Sequence, residues 1–157
     1  MNFSSWKRQA LILCLLLSSA ASSVAGSKSP TQIEQIAEQA LTARQKLMQQ
    51  DATAADVDAF LAIGTDNLIY EDPVVKMRIE GKDEIRKGLL AFLGLSRSAH
   101  VVVTKRIAVA NVVIFEQTVS FEEKQPDNGW KAQSRHQATV FEFDGSRIRR
   151  IADYWSR

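Results

Sequence analysis

From Ala99 to the end of the chain apolar residues recur at every second position, whereas before Ala99 they recur every three or four. A two-residue period suits a half-buried strand and a 3.6-residue period suits an amphipathic helix. Three helical faces precede the change: Ile33, Ile36, Ala37, Ala40, Leu41, Leu47 and Met48; then Val57, Phe60 and Leu61; then Ile85, Leu89, Leu90, Phe92 and Leu93. Four strands follow, over Ala99–Val109, Asn111–Glu123, Lys131–Phe143 and Arg147–Trp155, with turn signals at Pro126-Asp127-Asn128-Gly129 and Asp144-Gly145. Helices first and long antiparallel strands last is an α+β order. The expected architecture is a curved sheet, antiparallel to mixed, wrapped around three N-terminal helices, a cone with an apolar pocket at its open end.

The helix boundaries are written in capping chemistry. Pro30 and the pair Thr31…Glu34 open the first helix, and Thr53 with Asp56 opens the second. Gly64 is the expected stop of the second helix, Gly81 the start of the third and Gly94 its end. Between them, Asn67–Glu71 reads as a short strand, and Tyr70-Glu71-Asp72-Pro73 closes it. Proline donates no ladder hydrogen bond, so the strand stops there and Asp72 becomes its last residue.

The first 25 residues read as a secretory leader. Lys7 and Arg8 give a positive start, Ala10 to Ala21 is an apolar run, and Ser23-Val24-Ala25 offers small residues for cleavage before Gly26. The run of about 12 residues falls short of the roughly 20 that span a bilayer, so no stable membrane insertion is expected after cleavage. The domain order is then a leader over 1–25, a polar linker over 26–29 and one domain over 30–157, in a protein exported to the periplasm or secreted. The chain has 20 Lys+Arg and 18 Asp+Glu; loss of Lys7 and Arg8 leaves 18 of each, a neutral mature protein. That balance gives no footing for nucleic acid. Cys14, the only cysteine, leaves with the leader, which excludes disulfides and thiolate chemistry.

Several polar and aromatic residues are placed where a site would be. Asp72, at a strand end, can take and return a proton if buried. Asp153 alternates with Ile151 and Trp155 and so shares their face. A buried lone carboxylate is costly, so Asp153 either pairs with Arg135 or Arg149, or serves as a substrate-binding group or proton partner of Asp72. Gln117 interrupts the row Val113, Phe115, Val119, Phe121, and a buried amide needs partners, which makes it a candidate ligand contact. His100 stands at a strand start and is expected to line the pocket, with Tyr70 nearby on the short strand; His136 lies on the opposite parity from Gln137, Thr139 and Phe141. Two isolated histidines lack metal-ligand spacing, so no metal and no other cofactor is expected.

Glu71-Asp72-Pro73-Val74, Gly81 and Ile85-Arg86, the strand segments Ala108–Asn111 and Thr118–Glu122, and the hairpin residues Phe141, Phe143 and Gly145 together resemble the nuclear-transport-factor-two-like superfamily, in particular its ketosteroid isomerase-like and SnoaL-like members. The resemblance covers nearly all of the mature chain. It implies that Asp72 matches the isomerase's general base and Trp155 an aromatic pocket position; Phe121 and Phe141, read from the chain itself, are expected with Trp155 to be core and pocket wall at once. The chain departs from the isomerase at its oxyanion hole: Tyr70 and Tyr154 are not on the first helix, Thr139 stands where a protonated acid would be, and Asp153 replaces a small apolar residue. Leader and resemblance together imply an exported SnoaL-like protein that binds a small, largely apolar molecule. If it is an enzyme it is a cofactor-independent isomerase, cyclase or hydrolase, with Asp72 and Asp153 as catalytic groups and Tyr70, His100, Gln117, Phe121, Phe141 and Trp155 around the ligand. The alternative is a non-catalytic binding or dimerising module on the same fold. A homodimer is expected in either case, paired through the outer sheet face that carries Ile114, Thr118, Ala138 and Val140.

Overall fold

A computed structural model describes residues 31–156; the expected leader, its cleavage site, the whole 26–29 linker and Pro30 lie outside them. Helix α1 spans Gln32–Leu47 and α2 spans Ala54–Ala62, each opened by the reciprocal capping box that its Thr31…Glu34 or Thr53…Asp56 pair encodes. Strand β1 (Gly64–Asp72) turns at Pro73 into β2 (Met77–Glu80), and α3 (Lys82–Phe92) follows. Four strands complete the chain: β3 (Ser96–Val109), β4 (Val112–Lys124), β5 (Trp130–Asp144) and β6 (Arg147–Ser156).

The six strands form one mixed sheet in the order β2-β1-β6-β5-β4-β3, with β1 and β6 parallel and every other pair antiparallel. Register shifts in β3, between Arg97 and His100 and between Val103 and Lys105, let the longest strands bend. The concave face carries Leu68, Val113, Phe115, Phe141, Phe143, Ile148 and Ile151. These pack against Ala37, Ala40, Leu41, Val57, Phe60 and Ile85 of the helices. Two details differ from the sequence reading. Ile63, not Gly64, caps α2, and Gly64 already belongs to β1. The approach to α3 contains a strand, β2, whose four residues alternate half-buried and exposed and pair with Ile69–Asp72.

The outer face is ionic near β1 and carries several apolar residues in the middle of β4 and β5. Arg150 bonds Glu71 at 2.6 Å and also reaches Glu142, so it is a clamp between strands. Ile114, Thr118, Ala138 and Val140 are all half-buried on that face.

Candidate functional site

The inner face has two polar layers toward the open end of the sheet. The deeper one is centred on Asp153, which is only 4% exposed at its side chain. Arg44 of α1 grips both carboxylate oxygens, with Nη1 3.0 Å from Oδ1. The Tyr70 hydroxyl donates to Oδ2 at 2.8 Å, while Thr139 Oγ1 and Gln137 Nε2 each donate to Oδ1 at 2.8 Å. Five donor contacts exhaust a carboxylate that has about four lone-pair sites. Burial alone would raise the Asp153 pKa, but the Arg44 charge and the hydrogen bonds from Arg44, Thr139 and Tyr70 outweigh it and hold the group below the ordinary carboxylate range. Burial likewise opposes the charge on Arg44, and Asp153 more than restores it. Tyr70 is pushed up, first by burial and then by the Asp153 carboxylate against the opposing pull of Arg44, so it stays a neutral phenol.

This corrects the expectation for Asp153. Its partner is Arg44; Arg149 binds Glu142 and Arg135 holds no carboxylate among the described residues. Asp153 is thus a paired carboxylate with its pKa held low by Arg44 and its hydrogen-bond donors, rather than raised by a neighbouring Asp72. Thr139, aligned by resemblance with a protonated acid, is instead registered directly opposite Asp153 and donates to it.

The direction of the donors has a consequence for the glutamines. Gln137 turns its amide nitrogen toward Thr139 and Asp153, and Gln117 turns its nitrogen to Thr139 Oγ1 at 3.1 Å. Both amide oxygens are therefore turned away from the carboxylate, and both are buried without a hydrogen-bond partner. Gln117 and Gln137 are register partners on β4 and β5, 3% and 6% exposed.

The outer layer is half-buried and built by Asp72, Trp155, Arg135 and Phe121. Asp72 does end β1. Its Oδ1 accepts the backbone N–H of Val74 at 3.1 Å and of Val75 at 3.4 Å, a local turn that Pro73 favours, and its Oδ2 accepts the Trp155 indole N–H at 2.8 Å. Tyr70 and Asp72 thus share a face of β1 as Asp153 and Trp155 share one of β6, but the two carboxylates have separate partners and separate depths. The Arg135 guanidinium lies 5.3 Å from the Trp155 ring centre and 5.4 Å from that of Phe121.

Two other expected site residues are elsewhere. His100 is exposed on the outer face, registered opposite Ser120, because the bulge after Arg97 sets its parity. Phe141 has no exposed surface and packs edge-on against Phe115 with ring centres 6.0 Å apart, so it is core rather than wall. His136 faces outward beside Thr118, as its parity implies. Sequence reading missed Arg44, Arg135, Gln137 and Thr139 as site residues. Arg44 had a signal, since it falls four residues after Ala40 and three before Leu47 on the apolar stripe of α1. Among the described residues no three His, Cys, Asp or Glu converge as a metal site would require. Two open surface concavities, of about 590 and 300 Å³, lie along α1 and beside its N-terminus; neither touches Asp72 or Asp153.

Comparison with known proteins agrees with this architecture. The sequence model of the SnoaL-like domain matches residues 46–151, a span that stops short of Arg44 at one end and Asp153 at the other. No curated protein matches at a significant level. Among solved structures, an epoxide hydrolase of M. tuberculosis described as LEH-like is 25% identical, with a TM-score of 0.59 over 78% of this chain and 84% of that one. A candidate SnoaL-like polyketide cyclase of Shewanella denitrificans OS-217 is 11% identical, with a TM-score of 0.69 over 81% and 92%. A ketosteroid isomerase-like protein of Catenulispora acidiphila DSM 44928, in complex with trimethylamine, is 18% identical, with a TM-score of 0.58 over 74% and 85%.

Proposed function

Because the chain belongs to the SnoaL-like domain family, we propose that it is an exported small-molecule-binding protein whose ligand lies on the inner sheet face between Gln117, Gln137 and the Trp155 rim. One observation carries this reading: the amide oxygens of two register partners, Gln117 and Gln137, are buried and have no donor. A buried acceptor without a partner costs about 1–3 kcal/mol, and a guest with a hydroxyl or amine hydrogen removes that cost. Phe121 and Trp155 supply apolar surface for the rest of the guest. The trimethylamine held by the Catenulispora protein and the likeness to the M. tuberculosis epoxide hydrolase support a small organic ligand for this fold. Export rests on residues 1–25, and pairing of two copies on the apolar part of the outer face.

Native mass spectrometry of the protein purified from its own host tests these points together. The expected spectrum has a mature mass beginning near Gly26, a dimer, and a retained small molecule lost on activation. A ligand-free spectrum at every step of a gentle purification would count against the binding role.

Where the guest is also turned over, Asp72 is the residue placed to move its proton. Its Oδ2 accepts one hydrogen bond and keeps a lone pair at the half-buried rim, whereas Asp153 has none to spare. Asp72→Asn is expected to leave affinity within about twofold and to lower turnover by roughly 10²–10⁴-fold, the range of a lost general base. Equal initial rates for the two proteins would assign the site to binding alone.

A further inference from the structure

Arg135 differs from every other arginine in the described residues. There are nine, and eight sit in an ion pair with an aspartate or glutamate. Arg135 has no ion pair and no hydrogen bond among the described residues, and its Nε is buried without a partner. It is not a loose surface cation. Its guanidinium lies within cation–π distance of both the Phe121 and the Trp155 ring, which holds it near the inner face. A guanidinium that is half-buried, held beside two rings and lacking an acceptor suits a planar anion that arrives from outside.

Its position relative to the orphaned oxygens gives the shape of that anion. Arg135 precedes Gln137 by two residues on β5 and shares its face, so the two lie about 7 Å apart along the strand. The inner face thus offers donors at the rim and, one step deeper, acceptors on Gln137 and its register partner Gln117. Nearby carboxylates limit the charge that can be accepted. Asp72 lies at the indole edge of Trp155, and Glu123, on the same face of β4 as Phe121, is held by Gln133 at 3.0 Å. One cation beside two acids suits a monoanion rather than a phosphate dianion.

From this arrangement we infer that the ligand is a small carboxylic acid bearing a hydroxyl or amine some 7 Å from the carboxylate. Its carboxylate docks on Arg135, its donor hydrogen on the oxygens of Gln117 and Gln137, and its carbon skeleton along Phe121 and Trp155. The inference rests on the inner-face binding reading above and specifies its chemical class.

Three probes of nearly equal shape separate the contributions: para-hydroxybenzoate, its neutral amide para-hydroxybenzamide, and benzoate, which lacks the donor. Binding is followed by NMR on ¹⁵N-labelled protein through the Arg135 Nε–H resonance, assigned by its loss in Arg135→Gln. Para-hydroxybenzoate is expected to move that resonance and to bind at least about tenfold more tightly than the amide, as a charge-assisted pair implies. Benzoate should bind more weakly than para-hydroxybenzoate by about threefold or more, for want of one neutral hydrogen bond. Arg135→Gln should remove the preference for acid over amide while leaving the amide within about twofold. Should that variant fail to fold, the acid–amide comparison on the native protein decides the matter alone. Equal affinities for acid and amide, or an unmoved Arg135 resonance with both bound, would overturn the carboxylate while leaving small-molecule binding intact. No binding of any probe at millimolar concentration would overturn the inference, and the retained-ligand spectrum would then judge the binding reading separately.

Discussion

Asp153→Asn is expected to destabilise the folded protein by about 3–5 kcal/mol, the usual consequence of removing one member of a buried ion pair. The side chains of Arg44 and Asp153 are 18% and 4% exposed, so the cation left behind has little water to turn to. Arg44→Met should cost a similar amount by leaving the carboxylate unpaired. Replacing both together by apolar residues is often neutral at an isolated buried pair. Here it should remain destabilising, because Tyr70, Thr139 and Gln137 also donate to Asp153 and would lose their acceptor. Urea unfolding of the two single variants and the double variant measures this; a loss below about 1 kcal/mol for Asp153→Asn would mean that the network is incidental to the fold. The pH dependence has a definite sign. Asp153 has its folded pKa held below the unfolded value of about 3.9, so its contribution is complete above that value and is lost as pH falls through the folded pKa. Tyr70 is raised, so its contribution is complete below about pH 10 and is lost as pH climbs beyond it.

Phe141→Ala should cost about 3–5 kcal/mol of stability, as for other large aromatic truncations in a core, and should leave ligand affinity unchanged once the variant is held folded. Phe141 is fully enclosed and meets Phe115 at 77° between ring planes, while the half-buried Phe121 lies in the outer layer against Arg135. The comparison is Phe121→Ala, which should barely move the unfolding midpoint yet weaken binding. Affinity falling in Phe141→Ala at full occupancy of the folded state would return that ring to the ligand wall.

Period and capping made the fold legible. The Thr31 and Thr53 boxes start their helices where the sequence places them, and the alternation from Ala99 onward yields four strands whose ends shift by a few residues at most. Strand β2 escaped because Met77–Glu80 is four residues long, too short for a period to declare itself. The site was legible only in part. Asp72, Asp153, Gln117 and Trp155 all lie on the inner face, as strand parity implies, but parity says nothing of partners. Arg44 reaches Asp153 across 109 positions of sequence, and the bulge in β3 that turns His100 outward leaves no mark in residue type. The pairing of charges, and with it the distinction between a proton carrier and a structural anion, exists only after the chain has closed.

The order of strands also decides when the site can exist at all. Strand β6 is last in the described sequence yet third in the sheet, inserted between β1 and β5. On a chain emerging from its N-terminus, α1 and β1 are made long before the strand that separates β1 from the rest. Until β6 arrives, Arg44 carries its charge on an apolar helix face with no anion to meet, Trp155 is absent from the rim, and β1 has only β2 beside it. Early burial of α1 would strand that cation, and the contact that relieves it spans 109 positions of sequence. Completion of the sheet and completion of the proposed binding face are therefore one event.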